Sequence, residues 1–245
     1  MTRAATAAAV AALVLAGCGG DDEPRLVVSA ASSMTAALTA CGGNFTGATV
    51  RLSFAGSDAL AAQIRQGVRP DVYAAANTEL PRELHAEGLL SAPVEFATNE
   101  LVVAVPRGSG ISGIAGLTRP GTKVAIGSES VPIGSYTREL LANLPADAGR
   151  AILANVRSNE PDVNGIVGKL TRGAADAGFV YVTDVDAASG KLEAIHLPAA
   201  VEPDVTYAAG VVKGANEPDL AREFVDGLSD GDCAGALAEA GFGKP

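Results

Sequence analysis

Small and hydroxyl-bearing residues follow several apolar runs in this sequence, and these turns are where its residues could do chemistry. Residues 26–31 form an apolar run that leads to Ser32 and Ser33, and residues 34–40 have the composition of a helix. The first N–H groups of a helix lack intrahelical partners, and the helix dipole adds partial positive charge there. With serine hydroxyls as further donors, such a turn suits an anion. A serine that only caps its helix is the alternative interpretation.

The same arrangement recurs at two later points in the chain. Residues 48–54 alternate as a strand does, and Ser57 lies between them and a predicted helix. Residues 123–127 form another predicted strand, and Ile133 lies where the next helix begins. The alternative is that Ser57 is a helix cap and Ile133 is an ordinary core residue.

Two further segments carry candidate donors. Asp162 has the residue type and position of a helix N-cap, with Val163 directly after it. Tyr181 lies where an apolar strand runs into a turn. On these residues alone, Val163 could equally be core, and Tyr181 could be a strand-end side chain with a backbone partner.

Strands alternate with helices along the chain, which predicts an α/β fold with mostly parallel pairing. In open sheets of this class, ligands bind outside the carboxyl ends of the strands. The turns at Ser33 and Ser57 follow such ends. We therefore expect the donors of separate turns to meet at one site.

Composition argues for binding rather than catalysis. The 245 residues carry a net charge of −10, which disfavours nucleic acid and anionic lipid headgroups as partners. The two histidines, His85 and His196, have no metal-type ligand spacing around them. The sequence contains neither a G-x-S-x-G elbow nor a phosphate-binding P-loop. We expect no enzymatic activity, no cofactor and no resident metal.

The N-terminus predicts export and a lipid anchor. A short basic start and an apolar stretch precede Leu15-Ala16-Gly17-Cys18, which resembles the bacterial lipobox. Residues 1–17 are then a lipoprotein signal peptide, Cys18 is acylated, and residues 18–25 tether the protein to the extracytoplasmic face of the membrane. Cys41 and Cys233 remain as a disulfide in an oxidising compartment, or alternatively as two free thiols.

Five segments together resemble the molybdate-binding proteins of bacterial ABC importers (the ModA family), which are type II periplasmic binding proteins. The resemblance extends from residue 26 to residue 245. It is carried, in the family's order, by Ala30-Ala31-Ser32-Ser33-Met34-Thr35, Phe54-Ala55-Gly56-Ser57, Val131-Pro132-Ile133-Gly134, Asp162-Val163-Asn164-Gly165 and Val180-Tyr181-Val182-Thr183-Asp184.

The resemblance implies a ligand shell made only of neutral donors. Ser33 and Ser57 would each supply a hydroxyl and an N–H group, Ile133 and Val163 would supply N–H groups, and Tyr181 would supply its hydroxyl. The implied ligand is molybdate or tungstate, passed to a membrane permease by a monomeric solute-binding lipoprotein. The alternatives are the same fold with another oxyanion, such as phosphate or sulfate, or a secreted enzyme that acts on a small anion.

The resemblance also implies two lobes, each with a mixed, mostly parallel sheet, joined by a two-segment hinge. Lobe 1 would comprise residues 26–97 and 207–245, and lobe 2 residues 98–206. This chain departs from the family at Ile133, where alanine is common, and at Asp58, where a small or hydroxyl residue is usual. A carboxylate directed at a bound dianion would repel it, so we expect Asp58 to point away from the ligand.

Overall fold

The computed structural model describes residues 23–245, apart from the side chain of residue 232. The predicted signal peptide and the predicted lipidation at Cys18 lie outside the described residues. Within residues 23–245, no helix has both the length and the apolarity needed to cross a membrane.

Residues 23–245 form ten strands and ten helices, in three consecutive stretches. The first stretch contains β1 (Arg25–Ala31), α1 (Thr35–Asn44), β2 (Thr49–Ala55), α2 (Ser57–Arg65), β3 (Val72–Ala75), α3 (Glu79–Ala86) and β4 (Val94–Asn99). The second contains β5 (Leu101–Pro106), α4 (Ile114–Leu117), β6 (Val124–Gly127), α5 (Pro132–Asn143), α6 (Ala146–Ala154), β7 (Val156–Glu160), α7 (Val163–Thr171), β8 (Ala177–Tyr181), α8 (Val182–Ala187) and β9 (Leu192–Ile195). The third contains β10 (Val205–Val211), α9 (Pro218–Asp230) and α10 (Asp232–Glu239).

These strands make two separate five-stranded sheets, with the orders β2-β1-β3-β10-β4 and β7-β6-β8-β5-β9. In the first, β1 pairs in parallel with β2 and β3, whereas β10 is antiparallel to β3 and β4. In the second, β6 pairs in parallel with β7 and β8, whereas β5 is antiparallel to β8 and β9. The predicted α/β class with mixed sheets flanked by helices is confirmed.

The sheets divide the chain into two lobes that share two crossings. Sheet membership changes between Asn99 and Leu101, and it changes back between Ile195 and Val205. The predicted boundaries, after residue 97 and before residue 207, each lie two residues from the nearest end of the first sheet. The crossing strands β4 and β10 pair with each other, so one short ladder carries both connections.

Small and aliphatic side chains fill the core of each lobe. All five residues from Leu101 to Val105 are at most 1% exposed, because β5 lies inside its sheet with helices against it. Three tyrosines, Tyr73, Tyr181 and Tyr207, are among the largest fully buried side chains. Buried phenol groups need hydrogen-bond partners, which makes these positions informative about function.

A disulfide joins α1 to α10. The sulfur atoms of Cys41 and Cys233 are bonded, with their Cα atoms 4.7 Å apart and a sequence separation of 192. Both side chains are buried. The bond therefore fastens the C-terminal helix of the chain to the first helix of lobe 1.

Candidate functional site

Three helices of eight or more residues and one short 3-10 turn begin at one small cavity between the lobes. The cavity is lined by the start of the 3-10 turn Ser32–Met34, which precedes α1, by the start of α2 in lobe 1, and by the starts of α5 and α7 in lobe 2. Each start leaves backbone N–H groups without intrahelical partners, and each dipole adds partial positive charge. The three helix starts and the 3-10 turn around one space form a region that favours a small anion.

All five candidate donors from the sequence line this cavity. They come from separate elements in both lobes, and they are Ser33, Ser57, Ile133, Val163 and Tyr181. The fold thus brings together residues that are up to 148 positions apart in the chain. Their contacts with a ligand stay a prediction.

Ser33 does not cap its helix, contrary to one interpretation of its turn. A short 3-10 turn, Ser32–Met34, precedes α1, and the N-cap of α1 is Met34, without a side-chain hydrogen bond. The extra turn moves the Ser33 side chain off the helix end, and its Oγ lies 3.0 Å from Tyr207 Oη instead. Sequence alone could not show this, because Tyr207 follows Ser33 by 174 residues.

Ser57 is held at the start of α2 by two hydrogen bonds from the neighbouring strand β3 and its end. The N–H group of Ala76 donates to Ser57 Oγ at 3.1 Å, and Tyr73 Oη donates to the Ser57 carbonyl oxygen at 2.8 Å. The residue before it must be glycine, because a Cβ atom on Gly56 would collide with the Pro161 carbonyl oxygen of the other lobe. Lobe 2 therefore approaches the backbone directly at this point.

Ile133 and Val163 line the cavity at the starts of α5 and α7. The two residues are 2% and 3% exposed, and both belong to the hydrophobic core. The isoleucine at position 133, which is larger than the alanine common in the resembling family, therefore packs in the core, and the start of α5 still lies at the cavity. Asp162 also lines the cavity, but its Oδ1 accepts a hydrogen bond from the Gly165 N–H at 3.0 Å, as the N-cap predicted from the sequence does.

Tyr181 ends β8 with its hydroxyl inside the protein. The side chain is 1% exposed, and among the described residues no hydrogen-bond partner meets its Oη. Burial raises the pKa of Tyr181 well above 10, so the phenol keeps its hydrogen at neutral pH. Buried hydroxyl groups normally have a hydrogen-bond partner, so the unpaired Tyr181 hydroxyl is available to donate to a ligand in the cavity that this residue lines.

The charges around the cavity are unusual for an anion site. The lining includes no lysine or arginine in the described part of the chain, and Asp162 is its charged member. Asp58 does not line the cavity: its Oδ2 accepts a hydrogen bond from Ser130 Oγ of the other lobe at 2.5 Å. The cavity can therefore attract an anion only through neutral hydrogen-bond donors and helix dipoles.

Two polar residues near the site were not predicted from the sequence. Tyr207 lies on β10 and Asn99 at the end of β4, and the Asn99 amide reaches both Tyr207 Oη and Thr183 Oγ1. Nothing in their local sequence marks them, since a Tyr and an Asn within strands are ordinary. Their proximity to Ser33 arises only when the crossing strands pair.

A family model described as bacterial extracellular solute-binding protein matches residues 26–243. The chain belongs to this family. The solute-binding protein is 37% identical over 227 residues to the molybdate-binding protein ModA of Mycobacterium tuberculosis, covering 90% of this chain and 85% of that protein. It is 30% identical over 250 residues to ModA of Escherichia coli, covering 96% and 95% of the two chains. The resemblance inferred from the five segments is confirmed.

Solved structures agree with this assignment at the level of the fold. The periplasmic molybdate-binding protein of Azotobacter vinelandii superposes with a TM-score of 0.80 at 23% identity, over 90% of this solute-binding protein and 99% of that chain. The sulfate-binding protein SubI of Mycobacterium tuberculosis superposes with a TM-score of 0.76 at 16% identity, over 89% and 86%. Two different oxyanions are therefore named among proteins of this fold, and the ligand has to be argued from the cavity.

Proposed function

We propose that this solute-binding protein captures molybdate, and tungstate with it, in the cavity between its lobes and delivers the anion to the permease of an ABC importer. The observation that carries the proposal is the cavity lined by neutral donors at three helix starts and one 3-10 turn, without a lysine or arginine among its described lining residues. The relatives named as molybdate-binding proteins support molybdate as the specific ligand.

The donors are numerous enough to hold a dianion. Two hydroxyls and two N–H groups of Ser33 and Ser57, the N–H groups of Ile133 and Val163, and the Tyr181 hydroxyl would make seven hydrogen bonds. A hydrogen bond to a charged group contributes about 1.5–3 kcal/mol, so the gross gain is on the order of 10–20 kcal/mol. Desolvation, ordering and lobe closure reduce it. A net of about −8 to −12 kcal/mol corresponds to micromolar to nanomolar binding.

The cavity also restricts which anion fits. It is too small for an extended organic solute. Donors fixed to helix starts and to a 3-10 turn keep their spacing, so a shell that fits molybdate or tungstate holds the smaller sulfate and phosphate ions with longer, weaker hydrogen bonds. Hydrogen phosphate also carries an O–H group that needs an acceptor, and none of the seven proposed donor groups offers one while it donates to the anion.

Titration calorimetry on the full chain in detergent tests this directly. We expect molybdate and tungstate to bind with micromolar or tighter affinity, and sulfate and phosphate at least tenfold more weakly. Ser57→Ala should weaken molybdate binding because it removes one hydroxyl, whereas Ser91→Ala, on the surface of lobe 1, is a matched control that should not. Tighter binding of sulfate or phosphate would overturn the assignment of the ligand in favour of another oxyanion.

The second candidate, a secreted enzyme acting on a small anion, lacks a supporting observation, and its test is simple. Incubating the protein with the bound anion and following the anion by mass spectrometry should recover it unchanged. Conversion of the anion would refute a purely binding role.

Lipid anchoring and delivery need separate tests in cells. The protein should partition with membranes, and Cys18→Ser should release it or block its processing. Deleting the gene should lower uptake of labelled molybdate at low external concentration, and the parent chain should restore that uptake, whereas Tyr181→Phe should restore it poorly. Normal uptake without the gene would contradict delivery to a permease.

A further inference from the structure

A chain of hydrogen bonds connects the candidate ligand residue Ser33 to the crossing between the lobes. Ser33 Oγ lies 3.0 Å from Tyr207 Oη, and Asn99 Nδ2 lies 3.3 Å from the same Tyr207 oxygen. The same Asn99 nitrogen lies 2.9 Å from Thr183 Oγ1 in lobe 2. Tyr207 is fully buried, and its ring packs edge-on against Phe242, with ring centroids 5.3 Å apart, so its hydroxyl is held in place.

The direction of this chain follows from its far end. The backbone N–H of Glu100 can only donate, and it donates to Asn99 Oδ1 at 2.9 Å. This bond fixes which amide atom of Asn99 is oxygen, so the atom that faces Tyr207 and Thr183 is the NH₂ group. Tyr207 Oη accepts from Asn99 and has its own hydrogen left for Ser33. Burial raises the pKa of Tyr207 well above 10, and the hydrogen stays in place at neutral pH.

The 3.0 Å contact allows either hydroxyl to donate, and with Asn99 donating to Tyr207 the Tyr207 hydrogen is available for Ser33 Oγ to accept. A hydroxyl that accepts from a fixed donor has its own hydrogen free for another partner. Ser57 is arranged in the same way, since the N–H of Ala76 occupies a lone pair of its Oγ. Each of the two serines, which lie on different turns, therefore has a protein group that can donate to its Oγ: Tyr207 Oη for Ser33 and the Ala76 N–H for Ser57.

We propose that Tyr207, oriented by Asn99, is a positioning residue that commits the Ser33 hydroxyl to donate into the cavity and so selects oxyanions that carry no O–H group. This inference rests on the proposed function and deepens it, because it names residues that set the selectivity of the same site. An uncommitted Ser33 could rotate and accept a hydrogen bond from a protonated anion. A committed one can only donate, which penalises hydrogen phosphate relative to molybdate.

A double-mutant cycle with Tyr207→Phe and Ser33→Ala tests the proposal by titration calorimetry. Tyr207→Phe keeps the buried ring and removes only the hydroxyl. We expect it to weaken molybdate binding by about 3- to 10-fold, the loss of one neutral hydrogen bond. Because Ser33 is then free to accept, the preference for molybdate over hydrogen phosphate should fall. In the Ser33→Ala background, Tyr207→Phe should change the molybdate affinity less than about twofold, since it acts through Ser33.

Two further variants separate positioning from general damage. Tyr136→Phe removes a phenol hydroxyl that lies beside the Thr206 backbone and does not line the cavity, so it should leave the ratio of molybdate to phosphate affinity unchanged. Asn99→Ala removes the donor that orients Tyr207 and should reduce the same ratio if Tyr207→Phe fails to fold. Thermal melting of each variant establishes that it is folded.

The outcomes are distinct for the two proposals. Equal affinity and equal selectivity in Tyr207→Phe, or the same loss with and without Ser33, would overturn the role of Tyr207. If the parent protein binds sulfate or phosphate rather than molybdate, the proposed function falls, and the cycle run with that anion still decides whether Tyr207 acts through Ser33. If the parent binds none of these anions, both proposals fall.

Discussion

Replacing Tyr181 with phenylalanine should weaken ligand binding without destabilising the ligand-free protein. The Tyr181 hydroxyl lines the cavity and is fully buried, and no hydrogen-bond partner meets it among residues 23–245. Most buried hydroxyls stabilise a fold through their hydrogen bonds, so their removal is costly. Here the ligand is the expected partner, and the cost should fall on binding alone.

The magnitude follows from the charge of the ligand. A hydrogen bond to an ionised group contributes about 1.5–3 kcal/mol, so Tyr181→Phe should raise the dissociation constant for molybdate by about 12- to 160-fold. At a ligand concentration about 100 times the parent dissociation constant, ligand stabilises the parent by about 2.7 kcal/mol and the variant by only about 0.3–1.3 kcal/mol. For a chain of 245 residues, about 1 kcal/mol shifts the melting temperature by roughly 2–4 °C.

Thermal melting with and without molybdate measures both effects in one experiment. The parent should gain roughly 5–11 °C and Tyr181→Phe roughly 1–5 °C, while their ligand-free melting temperatures stay equal or the variant melts slightly higher. Tyr136→Phe is the matched control and should keep the full ligand-induced shift. A ligand-free protein clearly destabilised by Tyr181→Phe would refute the reasoning, because it would mean that the hydroxyl has a protein partner, with Tyr207 the candidate at a ring distance of 5.9 Å.

Three further predictions concern closure, the disulfide and pH. Ser130→Ala should accelerate ligand release by about 5- to 150-fold in stopped-flow experiments, because it leaves both carboxylate oxygens of Asp58 without a partner, at about 1–3 kcal/mol; unchanged release would mean that this contact does not hold the lobes together. Replacing Cys41 and Cys233 with alanine should lower the free energy of unfolding by about 2–5 kcal/mol without changing affinity, since neither lines the cavity; denaturant unfolding and calorimetry measure the two quantities, and a large loss of affinity would contradict the expectation. Burial raises the pKa of Asp184 to about 8. Because the folded state then keeps a proton that the unfolded state releases, the free energy of unfolding should fall as pH rises from about 4 to 8, by at most about 1.4 kcal/mol per pH unit. If Asp184→Asn shows the same pH dependence of stability, another group causes it.

The sequence predicted the elements whose pattern is strong and local. Leu101–Pro106 is an almost wholly apolar segment and forms the buried strand β5, and the Asp162 turn forms a capped helix as its residue types indicate. The five turns around the cavity were found for the same reason, since a strand end, a small or hydroxyl residue and a helix start lie within a few positions of each other. Their convergence on one cavity needed either the sheet rule or the family resemblance.

The edge strands β4 and β7 were not predicted because their patterns are weak, whereas the edge strand β2, which alternates, was predicted. β4 (Val94–Asn99) mixes polar and apolar residues and buries only Phe96 and Ala97, and β7 (Val156–Glu160) is mostly polar and only partly buried. Edge positions need fewer apolar residues, so composition does not reveal them. The helix Ala146–Ala154 was not predicted either.

Residues that act through long-range pairing could not be predicted either. Tyr207 reaches Ser33 only because β10 returns to the first sheet beside β3 and β4 after the whole of lobe 2 has been built. The role of Asp58 is similar: its sequence position suggested an ordinary carboxylate in the first turn of α2, and the structure pairs it with Ser130 across the cleft. Both contacts depend on how the two lobes meet.

In an acidic protein that binds an anion, the long-range electrostatic force on the anion and the short-range contacts that distinguish one anion from another act differently. The net charge of −10 opposes the approach of a dianion at long range, and salt weakens this repulsion, so association should be faster at moderate than at low ionic strength. A lysine or arginine in the cavity would overcome the repulsion, but it would attract every anion, whatever its size or protonation. Neutral donors act only within hydrogen-bond distance, where the number of lone pairs and the distance between oxygens differ among oxyanions. The site at Ser33, Ser57 and Tyr181 therefore gives up long-range attraction, and its selectivity depends on the direction in which each hydroxyl is held.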